Sequence, residues 1–213
     1  MTTLAWILAA VTAAFALTDW YGVITERRAV RYVAKPGTLV ALIGVALALD
    51  PVDGTIRAWM VAGLVCSLAG DVFLMLHERW FVAGLASFLL GHVAYVVGLG
   101  QADQSLAGLV VGGLVVAAAA ATLGRSIVTS VRRGSSPGLA PPVVAYIAVI
   151  SAMVVAAFGT TAVAAVVGAL LFYVSDATLA WNRFVRPIPH GGLAVMVTYH
   201  LGQAGLVAWL VTG

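Results

Sequence analysis

Charge is scarce in this chain. Of 213 residues, 9% are Asp, Glu, Lys or Arg and 62% are hydrophobic, whereas soluble domains carry roughly 25% charged residues. Polar stretches are scarce as well. The longest, Glu26–Lys35 and Arg125–Pro142, leave no room for a soluble domain. The single cysteine, Cys66, lies in an apolar run and excludes an internal disulfide. No G-x-S-x-G elbow, H-E-x-x-H pair, cysteine pair, phosphate loop or dinucleotide fingerprint occurs, so the familiar hydrolase, zinc and nucleotide motifs are absent. The start also lacks the marks of a cleaved leader. No positive side chain precedes the apolar stretch Leu4–Val23, which is long for a signal core, contains Asp19 and has no small-residue cleavage site after it. It reads as a first transmembrane helix.

What the chain has instead is a succession of apolar runs of the length a helix needs to cross a hydrocarbon core of ~30 Å. Eight spans are expected, at about 4–23, 36–49, 57–76, 81–100, 105–124, 142–158, 161–183 and 190–211. The fold class is therefore all-α, an integral membrane bundle of about eight transmembrane helices forming one domain over residues 1–213. The span at 36–49 is short for a full crossing, which suggests a tilted or broken helix. Pro36, Pro142, Pro187 and Pro189 fall at or before span starts, where a missing N–H does little harm.

The few cations are distributed unevenly. Loops after odd-numbered spans hold Arg27, Arg28, Arg31, Lys35, Arg79, Arg125, Arg132, Arg133, Arg183 and Arg186, and the opposite side holds only Arg57, beside Asp50, Asp53 and Asp103. Lys and Arg accumulate on the cytoplasmic side of membranes. Both termini are thus expected outside, in what reads as a bacterial cytoplasmic membrane. The net charge of +3 is accounted for by topology and contact with anionic lipids, without a nucleic-acid partner.

At an offset of 105 residues Pro36 falls on Pro141, Asp71 on Asp176 and Tyr95 on His200. That suggests two parallel four-helix repeats, 1–104 and 105–213, in a composition where chance matches come easily.

A carboxylate inside a membrane helix costs on the order of 2.5–3.5 kcal/mol by insertion scales, so it needs a partner or a purpose. Asp71 stands ~8 Å from the end of span 3, Asp176 stands ~10 Å from Arg183, and Asp19 has a similar depth in span 1. All three could converge on one polar pocket. Lys35 and Arg183 are the obvious cations to meet them, and buried ion pairs that merely fix packing are the alternative reading. Span 4 carries Gly84, Phe88, His92 and Tyr95 at helical spacing, and span 8 carries Tyr199, His200 and Gln203 at mid-depth. These groups either bond across helices or line a cavity. A zinc site would draw on His77, His92, His190 and His200, but the first and third fall at span ends while the others are central. No metal and no cofactor is expected.

Five pieces of sequence, in order, resemble the YhhN family, the bacterial relatives of mammalian lysoplasmalogenases: Lys35-Pro36, Gly70-Asp71-x-x-Leu74, Phe81-x-x-Gly84-x-x-x-Phe88-x-x-x-His92-x-x-Tyr95, Ser175-Asp176-x-x-Leu179-Ala180-x-Asn182-x-Phe184, and Tyr199-x-x-x-Gln203. His200 departs from the pattern, which more often has an aromatic there. The resemblance covers nearly the whole chain. It implies an enzyme that cleaves the vinyl-ether bond of a lysoplasmalogen, giving a fatty aldehyde and a glycerophospho-ethanolamine or -choline. Such hydrolysis begins with protonation of an alkene carbon and passes through an oxocarbenium ion, for which one neutral carboxyl and one carboxylate are suited. Asp71 and Asp176 are the expected catalytic pair, with neither role yet assigned. Lys35 and Asn182 are expected at the headgroup phosphate, with Asp19, His92, Tyr95, Tyr199, His200 and Gln203 around the substrate. The expected partners are a lysophospholipid or ether-lipid substrate and the membrane lipids. A transporter or exporter of a small amphiphile, proton-coupled through the same acids, is the rival class, and a non-catalytic scaffold a third.

Overall fold

In hydrocarbon there is no water to satisfy backbone N–H and C=O groups, so an apolar run of ~20 residues satisfies itself as a helix. The computed structural model describes residues 2–211 and contains eight helices of membrane-spanning length and apolarity among them, as the sequence predicts. They are α1 (Thr3–Ile24), α2 (Arg28–Ala48), α3 (Gly54–Met75), α4 (Phe81–Leu99), α5 (Leu106–Arg133), α6 (Ala140–Gly159), α7 (Val163–Phe184) and α8 (Gly191–Ala208). Side-chain caps begin three of them at the cation-poor end. Thr2 Oγ accepts from Ala5 N–H at 3.1 Å, the Asp53 carboxylate from the Thr55 and Ile56 amides, and Ser105 Oγ from Gly108 N–H at 3.3 Å. The Ile56 and Thr55 amides also hold the Asp53 carboxyl below its ordinary range.

Two expectations change. The second helix begins at Arg28 rather than Pro36, and Pro36 lies inside it. The basic residues that excluded 28–35 from the apolar span are tolerated because two of them, Arg31 and Lys35, meet carboxylates of neighbouring helices. Pro36 has no N–H for the Tyr32 carbonyl, one bond lost from the helix ladder. The fifth helix runs on past residue 124, through a π turn at Ala120–Gly124, into the amphipathic segment Arg125–Arg133. Its Ile127 and Val131 are buried against Val143 and Trp181 near the ends of α6 and α7.

Sequence neighbours pair as α1 with α2, α3 with α4, α5 with α6 and α7 with α8. Contacts of α4 with α6, α6 with α7, and α1 with α8 join these pairs into one bundle. Glycines set the closest approaches. A Cβ on Gly202 would stand 2.8 Å from Phe172 N, and one on Gly168 would stand 2.7 Å from Leu206 N, so α7 and α8 touch backbone to backbone. Between α3 and α4, the ring of Tyr95 covers Gly63 and that of Phe88 covers Gly70. α8 is the most enclosed helix and α5 the most lipid-exposed. The tight α3–α4 and α7–α8 pairs bring the helices of Asp71 and Asp176, α3 and α7, around the same interior as α8.

Candidate active site

Asp71 lies one turn before the end of α3, and Asp176 two turns before the end of α7, both toward the cation-rich end of the bundle. Both line a cavity of about 530 Å³, a volume suited to a small amphiphile. Its mouth has Arg28, Arg31, Tyr32 and Arg183, and its walls include the apolar side chains of Leu85, Phe88, Val143, Ile147, Ile150 and Met196. Phe172, fully buried, packs behind it with its ring 4.6 Å from His92 and 5.2 Å from Tyr199.

The two carboxyls have different company. Asp71 is 1% exposed, and its Oδ1 lies 2.9 Å from the Lys35 ammonium, itself 5% exposed. Its Oδ2 accepts from the Tyr199 hydroxyl at 2.9 Å. Asp176 has no cation within ion-pairing distance among the described Lys and Arg side chains. Its Oδ2 accepts from the Tyr146 hydroxyl at 2.5 Å, and His92 Nε2 stands 3.6 Å from the same oxygen. Arg183 does not reach Asp176, because one heptad along a helix is a rise of ~10 Å. It bonds Glu78 at 3.0 Å and lies 3.7 Å over the ring of Phe81.

Of the residues singled out from sequence, Lys35, Asp71, Asp176, Asn182 and Tyr199 line the cavity. Asp19, His92, Tyr95, His200 and Gln203 do not line it. Asp19 is fully buried and receives the Arg31 Nε–H at 3.2 Å, which holds that guanidinium at the cavity mouth. Tyr95 donates to Gln203 Oε1 at 2.6 Å, a bond linking α4 to α8 behind the cavity. His200 Nδ1 accepts the Trp20 indole N–H at 3.0 Å, which ties α8 to α1. Asn182 Oδ1 accepts from Ile188 N–H at 2.8 Å and so braces the turn into α8.

Tyr146 and Arg31 are the functional candidates that sequence reasoning missed. Tyr146 is the one hydroxyl-bearing aromatic of an otherwise aliphatic first half of α6, and that isolation was the available signal. Arg31 stands in a basic stretch whose composition reads as a loop.

The Lys35–Asp71 pair makes the first test. Removing one member of a buried pair leaves an uncompensated charge, at a cost of roughly 3–5 kcal/mol. Lys35→Met is expected to lower thermal stability in detergent by that order, and Lys35→Met with Asp71→Leu to recover much of it. A double variant as damaged as the sum of the single variants would show that the two groups are not coupled.

Human lysoplasmalogenase TMEM86B is 32% identical over 165 residues, covering 78% of this chain and 68% of the relative. The pig (Sus scrofa) protein of the same name is 34% identical, covering 70% of this chain and 62% of its own length. Human lysoplasmalogenase TMEM86A is 32% identical, covering 66% of this chain and 60% of the relative. The chain thus spans about two thirds or less of the length of these relatives. No solved structure matches it. The YhhN family pattern matches residues 30–210, a segment holding both acids, Lys35, Tyr146 and Tyr199, and the chain belongs to the YhhN family.

Proposed function

We propose that this chain is a lysoplasmalogenase-type membrane hydrolase, in which Asp176 is the acid and Asp71 the stabilising anion. The observation that carries the assignment is the position of Lys35. An ammonium 2.9 Å from Asp71 favours its carboxylate form, whereas Asp176, on the wall of the same cavity, has hydroxyl and imidazole neighbours and no Lys or Arg partner among the described residues. Two carboxyls in one apolar site do not both ionise readily, and the one lacking a cation keeps its proton.

The reaction then balances with water as the only co-substrate. The Asp176 O–H gives its proton to the alkene carbon remote from the ether oxygen, leaving an oxocarbenium ion. The Asp71 carboxylate stabilises that cation across the cavity. Water adds to the cationic carbon and returns a proton to Asp176. The resulting hemiacetal collapses to a fatty aldehyde and a free glycerol hydroxyl. The aliphatic walls accept the alkenyl chain. Lys35 and Asn182 are each engaged within the protein, so the headgroup-phosphate role passes to the mouth, to Arg28 and to the Nη groups of Arg31, whose Nε alone is held by Asp19. The names of the matched relatives favour this hydrolase over the transporter that buried acids also suit.

Purified Asp71→Asn and Asp176→Asn variants are expected to elute in detergent as the parent does. Each should lose at least about a hundredfold in aldehyde release from lysoplasmenylethanolamine, the lower end of what a positioned acid or base contributes. Near-parental turnover in both would overturn the assignment.

The cation asymmetry supports a bacterial cytoplasmic-membrane orientation with both termini and the Gln101 turn outside, and the cavity mouth inside. In a Cys66→Ser background, Gln101→Cys should react with an impermeant maleimide in intact cells. Ser135→Cys should react only after permeabilisation. The reverse pattern would refute the orientation.

A further inference from the structure

His92 is almost fully buried, 1% exposed, and off the cavity wall, so it has no route to substrate. Its Nδ1 lies 2.6 Å from the Phe88 carbonyl one turn earlier in α4. A carbonyl only accepts, so Nδ1 carries a hydrogen. In the neutral ring Nε2 is then a bare lone pair, an acceptor without a donor. That nitrogen has no hydrogen-bond partner among the described residues, although leaving a buried polar atom unmatched is costly. The nearest acidic atom is Asp176 Oδ2, at 3.6 Å.

A lone pair aimed at an ionised carboxylate is repulsive, and no cation lies between the two groups to relieve it. The remaining charged or titratable neighbours of the site are the Tyr146 hydroxyl from α6, the Lys35–Asp71 pair from α2 and α3, and the Tyr199 hydroxyl from α8. Tyr146 already bonds Oδ2, and the Lys35 ammonium is held by Asp71. The missing element is a single hydrogen on Asp176. With it in place, a shift of about 0.5 Å closes the gap to ordinary hydrogen-bond length.

We propose that His92 is the positioning residue that holds the proton on Asp176 between turnovers, accepting the carboxyl O–H at Nε2. This rests on the reading of Asp176 as the acid. The carboxyl torsion of Asp is soft, so the same O–H swings from the imidazole into the cavity when substrate is present. When the proton leaves for the alkene carbon, the Tyr146 hydroxyl remains as the donor to the new carboxylate. When water returns a proton, the Nε2 lone pair again favours the neutral acid. The tie to Phe88 matters because it stops the ring from presenting N–H at Nε2, which would stabilise the wrong form of Asp176.

Infrared spectroscopy reads this without any substrate, so its failure is separable from failure of the hydrolase reading. At neutral pH, the spectrum of the parent protein minus that of Asp176→Asn should contain a protonated-carboxyl C=O band. Against a His92→Phe background, which keeps a ring but removes the acceptor, that band should shift to higher frequency or give way to carboxylate bands. His92→Gln, whose amide oxygen accepts, should restore it toward the parental position. In turnover of lysoplasmenylethanolamine, His92→Phe should lower kcat about tenfold, with KM changed less than about twofold, and His92→Gln should recover part of the loss. A parental band unmoved by His92→Phe would overturn the proposal while leaving Asp176 as the acid, whereas no protonated-carboxyl band in the parent would overturn both. Identical spectra from the Phe and Gln variants would overturn the role of His92 as well.

Discussion

An ammonium and a carboxylate 2.9 Å apart, both almost wholly removed from solvent, are the constraint on which the rest of this bundle depends. In an apolar interior the desolvation of the two ions is offset only if their geometry is good and their remaining lone pairs are matched. Here the matching comes from a third helix, since the Tyr199 hydroxyl of α8 supplies the other oxygen of Asp71. The pair therefore fixes α2, α3 and α8 relative to one another. It also sets the electrostatics of the cavity. With the deeply buried Lys35 ammonium held by Asp71, Asp176 is left with no Lys or Arg partner among the described residues, the asymmetry on which the proposed acid role of Asp176 rests.

The surrounding packing serves that asymmetry. Glycines let α3 meet α4, and α7 meet α8, at backbone distance, so two acid-bearing helices reach one interior. Phe172, in contact with His92, Tyr95, Tyr199 and Phe88, closes it from behind with apolar rings. The surrounding low dielectric strengthens every charge interaction in the cavity. Toward the cation-rich end the lining changes from aliphatic to guanidinium, the order in which a single-chain phospholipid presents tail and headgroup. A secondary set of bonds, Trp20 to His200, Arg31 to Asp19 and Tyr95 to Gln203, braces the helices around the cavity without entering it.

Much of this was legible in the sequence because lipid imposes simple rules. Apolar length marked the helices, and Asp71 and Asp176 stood out as charges in apolar runs. What was not legible depends on which helices become neighbours. The basic start of α2 looked like a loop until Arg31 and Lys35 found carboxylates on α1 and α3. Tyr146 escapes a local reading because its partner is 30 residues away on α7. Arg183 looked like the counter-ion of Asp176 because the two are close in sequence, but helical rise separates them and Glu78 takes the charge. Depth in the membrane placed Asp19 with the other acids, yet its direction around α1 turns it toward Arg31 and away from the cavity wall.

Delivery of a proton from a carboxyl to carbon is the step on which the proposed chemistry of this cavity turns. The direct measurement is the isotope content of the aldehyde when the protein, equilibrated in D2O, turns over lysoplasmenylethanolamine and the product is reduced at once with borohydride. Carbon protonation places one deuterium on the carbon next to the former carbonyl. An alcohol with no deuterium at that carbon would show that the bond is broken by another route, and the assignment of Asp176 as the acid would fall with it.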